Sequence, residues 1–125
     1  MGSVLAVDDH SVFRKFVREL VDATSGLVWI GEANSGEAAV DRVRELEPDF
    51  VLMDVRMPDL GGIEATWRIK TIRPSTVVAL ISSAHPGELP PEAEHCPADE
   101  IVWKADLRPS LLDELWQRHG TWASR

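Results

Sequence analysis

The chain alternates short runs that are apolar throughout with stretches that carry a helical period, and this alternation limits the folds open to it. The apolar runs are Ser3–Val7, Phe50–Met53, Thr76–Ile81 and the shorter Ile101–Trp103, and Leu27–Ala33 also reads as a strand. A strand that is apolar on both faces must be covered on both faces, as in a parallel sheet packed between helices. Ser11–Thr24 places Val12, Phe13, Phe16, Val17, Leu20 and Val21 at helical spacing and predicts an amphipathic helix with all six inward. Asn34, with Glu37 three residues on, predicts a capping box for a helix from Ser35 to about Glu47, which Pro48 stops. Gly61-Gly62 precedes a helix expected to turn Ile63, Trp67, Ile69 and Ile72 inward, and Pro109 suits the first turn of a last helix carrying Leu111, Leu112, Leu115 and Trp116. Together these elements predict an α/β chain, a flavodoxin-like doubly wound five-stranded parallel sheet. The stretch between Ser83 and Glu100 breaks the pattern with Pro86, Pro90, Pro91 and Pro97. Adjacent prolines fit a helix only in its first turn, so a fourth helix is expected to be short, at about Pro91–His95, or irregular.

A length of 125 residues suits one domain. Lys and Arg number 13 and Asp and Glu 21, for a net charge of −8, which argues against phosphate-backbone binding and favours a basic partner or a cation. Cys96 is the one cysteine, which excludes an internal disulfide and a cysteine-rich metal site and fits a reducing compartment. No run approaches 18 apolar residues, so no membrane span is expected, and no basic leader marks a signal peptide.

The polar residues that end the strands carry the chemistry. The first strand ends at Asp8 and Asp9, the third at Asp54, the fourth at Ser82 and the fifth at Lys104. In a parallel sheet these ends share one edge, where ligands bind. Three carboxylates gathered there would repel one another unless a cation sat among them, and their oxygens suit a hard ion such as Mg²⁺. A lysine and a hydroxyl facing them suit an anionic group beside the metal, most simply a phosphoryl group. His10 reads as a rim residue at a helix N-terminus. His85, His95 and Cys96 are too dispersed to argue for zinc. The five tryptophans read mostly as core or edge packing, with Trp122, beyond the last helix, set apart.

Val7-Asp8-Asp9-His10, the run from Asp54 through Met57-Pro58 and Gly61-Gly62 to Glu64, Ser82 and Lys104 resemble the receiver domain of two-component response regulators along nearly the whole chain. Val-Asp-Asp-His and Gly31-Glu32-Ala33 look like the NarL/LuxR-type subfamily. The resemblance implies a sheet order of 2-1-3-4-5, a cytoplasmic location and a phosphorelay role. It implies that Asp54 accepts a phosphoryl group from a sensor histidine kinase. It also implies that Asp8, Asp9, Asp54 and the Arg56 backbone carbonyl hold Mg²⁺, that Lys104 pairs with the phosphoryl oxygens, and that Ser82 donates its hydroxyl to them. Ser83 stands beside Ser82, but counting 22 residues back from Lys104 favours Ser82. Such a domain catalyses its own phosphorylation and dephosphorylation and no other reaction.

Three positions depart from the family pattern. Ile101 stands where receivers usually carry a Tyr or Phe that rotates on activation, and Trp103 is expected to point the other way along the strand. Ala105 replaces the usual proline after the lysine, and Gly61-Gly62 replaces Asp-Gly. Residues 1–125 read as a single receiver domain, stand-alone or excised, with no output domain and only Thr121–Arg125 after the last helix. Its expected partners are the kinase and a downstream protein or an output domain absent from the chain, with a homodimer also considered and no direct contact with nucleic acid or membrane. A phosphorylation-independent interaction module on the same fold is the alternative. A Mg²⁺-dependent phosphatase is disfavoured, because Asp54-Val55-Arg56 lacks a second Asp and no Gly-rich phosphate loop is present.

Overall fold

A computed structural model describes residues 1–120, so Trp122 lies outside the described residues. In chain order the elements are β1 (Gly2–Val7), α1 (Ser11–Asp22), β2 (Leu27–Ala33), α2 (Gly36–Leu46), β3 (Phe50–Asp54), α3 (Gly62–Ile72), β4 (Val77–Ser82), α4 (Pro91–Glu94), β5 (Glu100–Trp103) and α5 (Pro109–His119). Short 3₁₀ turns at Pro86–Glu88 and Lys104–Asp106 precede α4 and α5. All strand pairs are parallel, in the order β2-β1-β3-β4-β5, so the doubly wound sheet stands as expected. The prolines act as anticipated: α4 is one turn long and begins at Pro91.

Alternation along the central strands divides the core. Val4, Ala6, Phe50, Leu52, Ala79 and Ile81 face α1 and α5, where Val17, Val21, Leu112, Leu115 and Trp116 meet them. Leu5, Val7, Val51, Met53, Val78 and Leu80 face α2 and α3, against Ala39, Val40, Val43, Ala65 and Ile69. Phe50, fully buried, stacks on Trp116 with ring centroids 6.0 Å apart.

The helix faces are narrower than the sequence predicts. In α1, Val17 and Val21 are buried and Phe13 and Leu20 partly so, but Val12 is 82% exposed and Phe16 42%. One face of a helix on a sheet covers little more than 100° of arc, and Val12 and Phe16, one turn apart, lie beyond it. In α3 the buried stripe is Gly62, Ala65, Thr66 and Ile69, at i, i+3, i+4 and i+7. Small residues bring this helix close to the sheet and leave Ile63 half-buried and Trp67 and Ile72 exposed at 49% and 37%. The cap of α2 also moves by one residue. Ser35, not Asn34, is the N-cap, and its hydroxyl accepts from the Ala38 N–H at 3.1 Å.

Candidate functional site

The carboxyl edge of the sheet gathers residues that lie far apart in sequence. β1 runs on into Asp8, whose N–H donates to Ala33 on β2 at 3.1 Å. Arg14, held by Glu32 at 2.7 Å, donates to the Asp8 carbonyl at 2.7 Å and pins this strand end. The Asp8 side chain is 1% exposed and both its oxygens are engaged: Oδ1 accepts from the His10 N–H at 2.8 Å and Oδ2 from Lys104 Nζ at 3.2 Å. Asp9, the next residue, keeps a partly exposed carboxylate.

Asp54 ends β3 and is nearly buried. Its Oδ1 accepts a long bond from the Arg56 N–H at 3.4 Å, and its Oδ2 lies 3.8 Å from Lys104 Nζ. Gly62 makes this end possible: a Cβ there would strike the Asp54 carbonyl, so glycine lets the start of α3 pass against it. The connecting loop turns at Asp59, a non-glycine residue in the left-handed region at φ 62°. Burial pushes the Asp54 carboxyl up to about 6; Lys104 pulls it down, while Asp8 and then Asp9 push it up.

Lys104 begins the turn after β5 and reaches back to the acidic residues, with its Nζ also 4.0 Å from the centre of the Phe13 ring. Ser82 ends β4 and is buried, whereas Ser83 is exposed. The Ser82 hydroxyl bonds its own loop, donating to the Ala84 carbonyl at 2.8 Å and accepting from the Ala84 N–H at 3.1 Å. Asp8, Asp9, Asp54 and Lys104 therefore come together, with Ser82 on a neighbouring strand end turned toward its loop.

Two features differ from the sequence reading. His10 is at the rim, with its side chain 72% exposed, yet its Nδ1 stands 3.1 Å from Oδ1 of Asp8 and 3.1 Å from Oδ1 of Asp9. Among the described residues, Asp8, Asp9, His10 and Asp54 form the one group whose donor atoms all lie within 4.8 Å, so His85, His95 and Cys96 join no such cluster. Trp103 does not point away from Ile101. Residues two apart share a strand face; Val102 packs with the α1–α5 core, Ile101 with the other, and Trp103 meets His85 and the Ser83 carbonyl in the β4–α4 loop.

The site is thus a lysine facing a buried, reluctantly ionised carboxylate, with two further carboxylates beside it at the carboxyl edge of a doubly wound sheet. The chain belongs to the response regulator receiver domain family, which it matches over residues 4–115. It is 42% identical over 82 residues to the response regulator GacA of Pseudomonas viridiflava, a match covering 66% of this chain and 38% of GacA. To the transcriptional regulatory protein YdfI of Bacillus subtilis it is 41% identical over 80 residues, covering 64% of this chain and 38% of YdfI. The matched region is thus well under half the length of these relatives. The receiver domain of the putative response regulator NarL from Mycobacterium tuberculosis superposes with a TM-score of 0.83 at 26% identity, covering 94% of both chains. The response regulator domain of Thermotoga maritima CheB gives 0.79 at 29% identity, covering 94% of this chain and 95% of that one. GacA, YdfI and the NarL domain, not CheB, carry the NarL/LuxR-type likeness.

Proposed function

We propose that this domain receives a phosphoryl group on Asp54 from a sensor histidine kinase in the cytoplasm and passes the signal on by changing its contacts with other proteins. The observation that carries the reading is the juxtaposition of Asp8, Asp9 and Asp54 with Lys104. An Asp54 oxygen attacks the phosphorus of the kinase's phosphohistidine; an O–P bond forms, the N–P bond breaks, and the histidine nitrogen leaves with the bonding pair. The donor set fits a hard divalent ion: Asp8, Asp9, Asp54 and the Arg56 carbonyl would hold Mg²⁺, which supplies positive charge against the transferred oxygens. Lys104, already 3.8 Å from Asp54, adds a second positive charge against the transferred oxygens. Ser82 exchanges its bond to Ala84 for one to the acyl phosphate. The kinase has a natural landing place on Val12 and Phe16, apolar residues one turn apart that α1 leaves exposed just beyond the acidic pair. The signal leaves toward a downstream protein or an attached DNA-binding output domain, or through a homodimer.

Incubation with Mg²⁺ and a small-molecule phosphodonor tests this directly. The expected product is an acid-stable, base-labile adduct on Asp54, absent in Asp54→Asn and absent when the ion is chelated; no adduct under any condition would sink the reading. A phosphorylation-independent module is the second reading, favoured by Ile101 and the one-turn α4. It predicts partner binding that is identical in wild type and Asp54→Asn.

A further inference from the structure

We infer that His10 is a nitrogen ligand of the divalent ion held by Asp8, Asp9 and Asp54, and that it shifts this site's preference toward borderline ions such as Co²⁺, Ni²⁺ and Zn²⁺. The inference rests on the metal-binding part of the function proposed above and adds which ions the site takes.

Carboxylate and carbonyl oxygens alone make a site for Mg²⁺ or Mn²⁺, whereas an imidazole nitrogen suits the later transition ions. His10 Nδ1 lies 3.1 Å from a carboxylate oxygen of Asp8 and 3.1 Å from one of Asp9, and all four donors lie within 4.8 Å of one another. Adjacent donors around a six-coordinate ion with bonds of about 2.1 Å stand about 3 Å apart, so the nitrogen is at a ligand's spacing from both oxygens. The backbone holds it there. His10 is the N-cap residue of α1, and its N–H bond to Asp8 Oδ1 at 2.8 Å ties the start of that helix to the acidic pair. Lys104 meets the other oxygen of Asp8, so the cationic and imidazole groups do not compete for one atom.

Nδ1 stands at hydrogen-bond distance from both carboxylates. As a ligand, Nδ1 would offer its lone pair and the ring proton would sit on Nε2, on a side chain open to solvent.

The test is calorimetric titration of the full chain with Mg²⁺ and, separately, Co²⁺, in wild type and His10→Ala, with the visible absorption of bound Co²⁺ as a second readout. His10→Ala is expected to weaken Co²⁺ binding about tenfold or more while weakening Mg²⁺ binding far less, and to shift the Co²⁺ absorption away from that of a nitrogen-ligated ion. Equal weakening of both ions, or an unchanged Co²⁺ affinity and spectrum, would overturn the inference. So would Co²⁺ binding that survives Asp9→Asn undiminished, since the ion would then sit on another histidine. The phosphoacceptor reading fails by a different result, absence of the Asp54 adduct, and that result leaves the comparison of ions in wild type and His10→Ala intact.

Discussion

The two edges of one sheet are built on opposite rules. At the amino edge polar side chains bond the strand starts directly. Asp49 accepts from the Ser3 N–H at 3.0 Å and returns its own N–H to the Ser3 hydroxyl at 3.0 Å. The buried Thr76 hydroxyl donates to the Pro48 carbonyl at 2.9 Å, and Lys70 donates to the Thr76 carbonyl at 2.6 Å. Asp99 accepts from Lys70 at 2.7 Å and from the Val78 N–H at 2.8 Å. At the carboxyl edge Asp8 and Asp54 share the Lys104 ammonium group with Asp9 beside them, and Asp54 holds its proton up to about 6. The first edge fixes where strands begin. The second keeps electrostatic tension that a cation or a phosphoryl group could relieve, as functional sites often do.

Asp54→Asn gives the sharpest contrast between the edges. It should abolish the adduct completely and at the same time stabilise the metal-free fold. A carboxyl whose folded value is about 6 against an ordinary 3.8 binds more protons folded than unfolded between those pH values. Stability from this group is therefore greatest in acid and falls as pH rises from the ordinary value through about 6, leaving a penalty at neutral pH. Urea unfolding in the presence of a chelator should show wild type gaining stability as pH falls from about 6 toward 3.8, and Asp54→Asn lacking that gain. Equal pH slopes in the two proteins would mean that Asp54 is not held under tension. The amino edge should respond the other way. Asp99→Ala strips a partner from Lys70 and from the Val78 N–H, and should cost about 1–3 kcal/mol while leaving adduct yield unchanged. An adduct lost along with that stability would break the division between edges.

The sheet and the acidic edge were legible in the sequence because each depends on a local feature that survives folding unaltered: strands apolar throughout, and the single polar residue at which each apolar run stops. The helix faces were less legible. Which arc of a helix meets the sheet depends on how it seats: in α3 the small Gly62, Ala65 and Thr66 bring it close and leave Trp67 and Ile72 out, and in α1 the arc centred on Val17 and Val21 leaves Val12 and Phe16 out. Asn34 and Ser35 are both competent caps, and only tertiary packing decides between them. The His10 ring direction is a rotamer of a rim residue, which no periodicity encodes. Trp103 is different: positions 101 and 103 have the same parity, so its face was available from strand geometry alone.

A smaller effect comes from the end of the sheet where β5 meets α5. Burial pushes Glu100 up, but bonds from His119 at 2.9 Å and Arg118 at 2.6 Å more than offset this and hold its carboxyl below its usual value. A lowered folded value gives stability that is present above the unfolded value and lost as pH falls through the folded one. Wild type should therefore be more stable than Glu100→Gln at neutral pH, with the gap closing in acid below the ordinary range of Glu. A gap that widens in acid would reverse the assignment.

The smallest effect tests the loop between the two behaviours. The Trp103 indole N–H donates to the Ser83 carbonyl at 3.3 Å, and its ring meets His85 edge-on at 5.5 Å, while the Ser82 hydroxyl is tied to Ala84. These side-chain bonds are individually weak, and one neutral hydrogen bond contributes about 1 kcal/mol net, so Trp103→Phe should lower stability by about that amount or less. A segment held by such bonds opens at low cost, which suits a loop that must move while the strands behind it stay in place. If Ser82 leaves Ala84 to meet an acyl phosphate on Asp54, the Ser83 carbonyl beside it shifts and the indole loses or tightens its bond. The difference in fluorescence between wild type and Trp103→Phe should then change when Mg²⁺ and phosphodonor are added together, and Asp54→Asn should not show it. A fluorescence response of the same size in Trp103→Phe would place the moving part elsewhere and leave Trp103 as packing against His85.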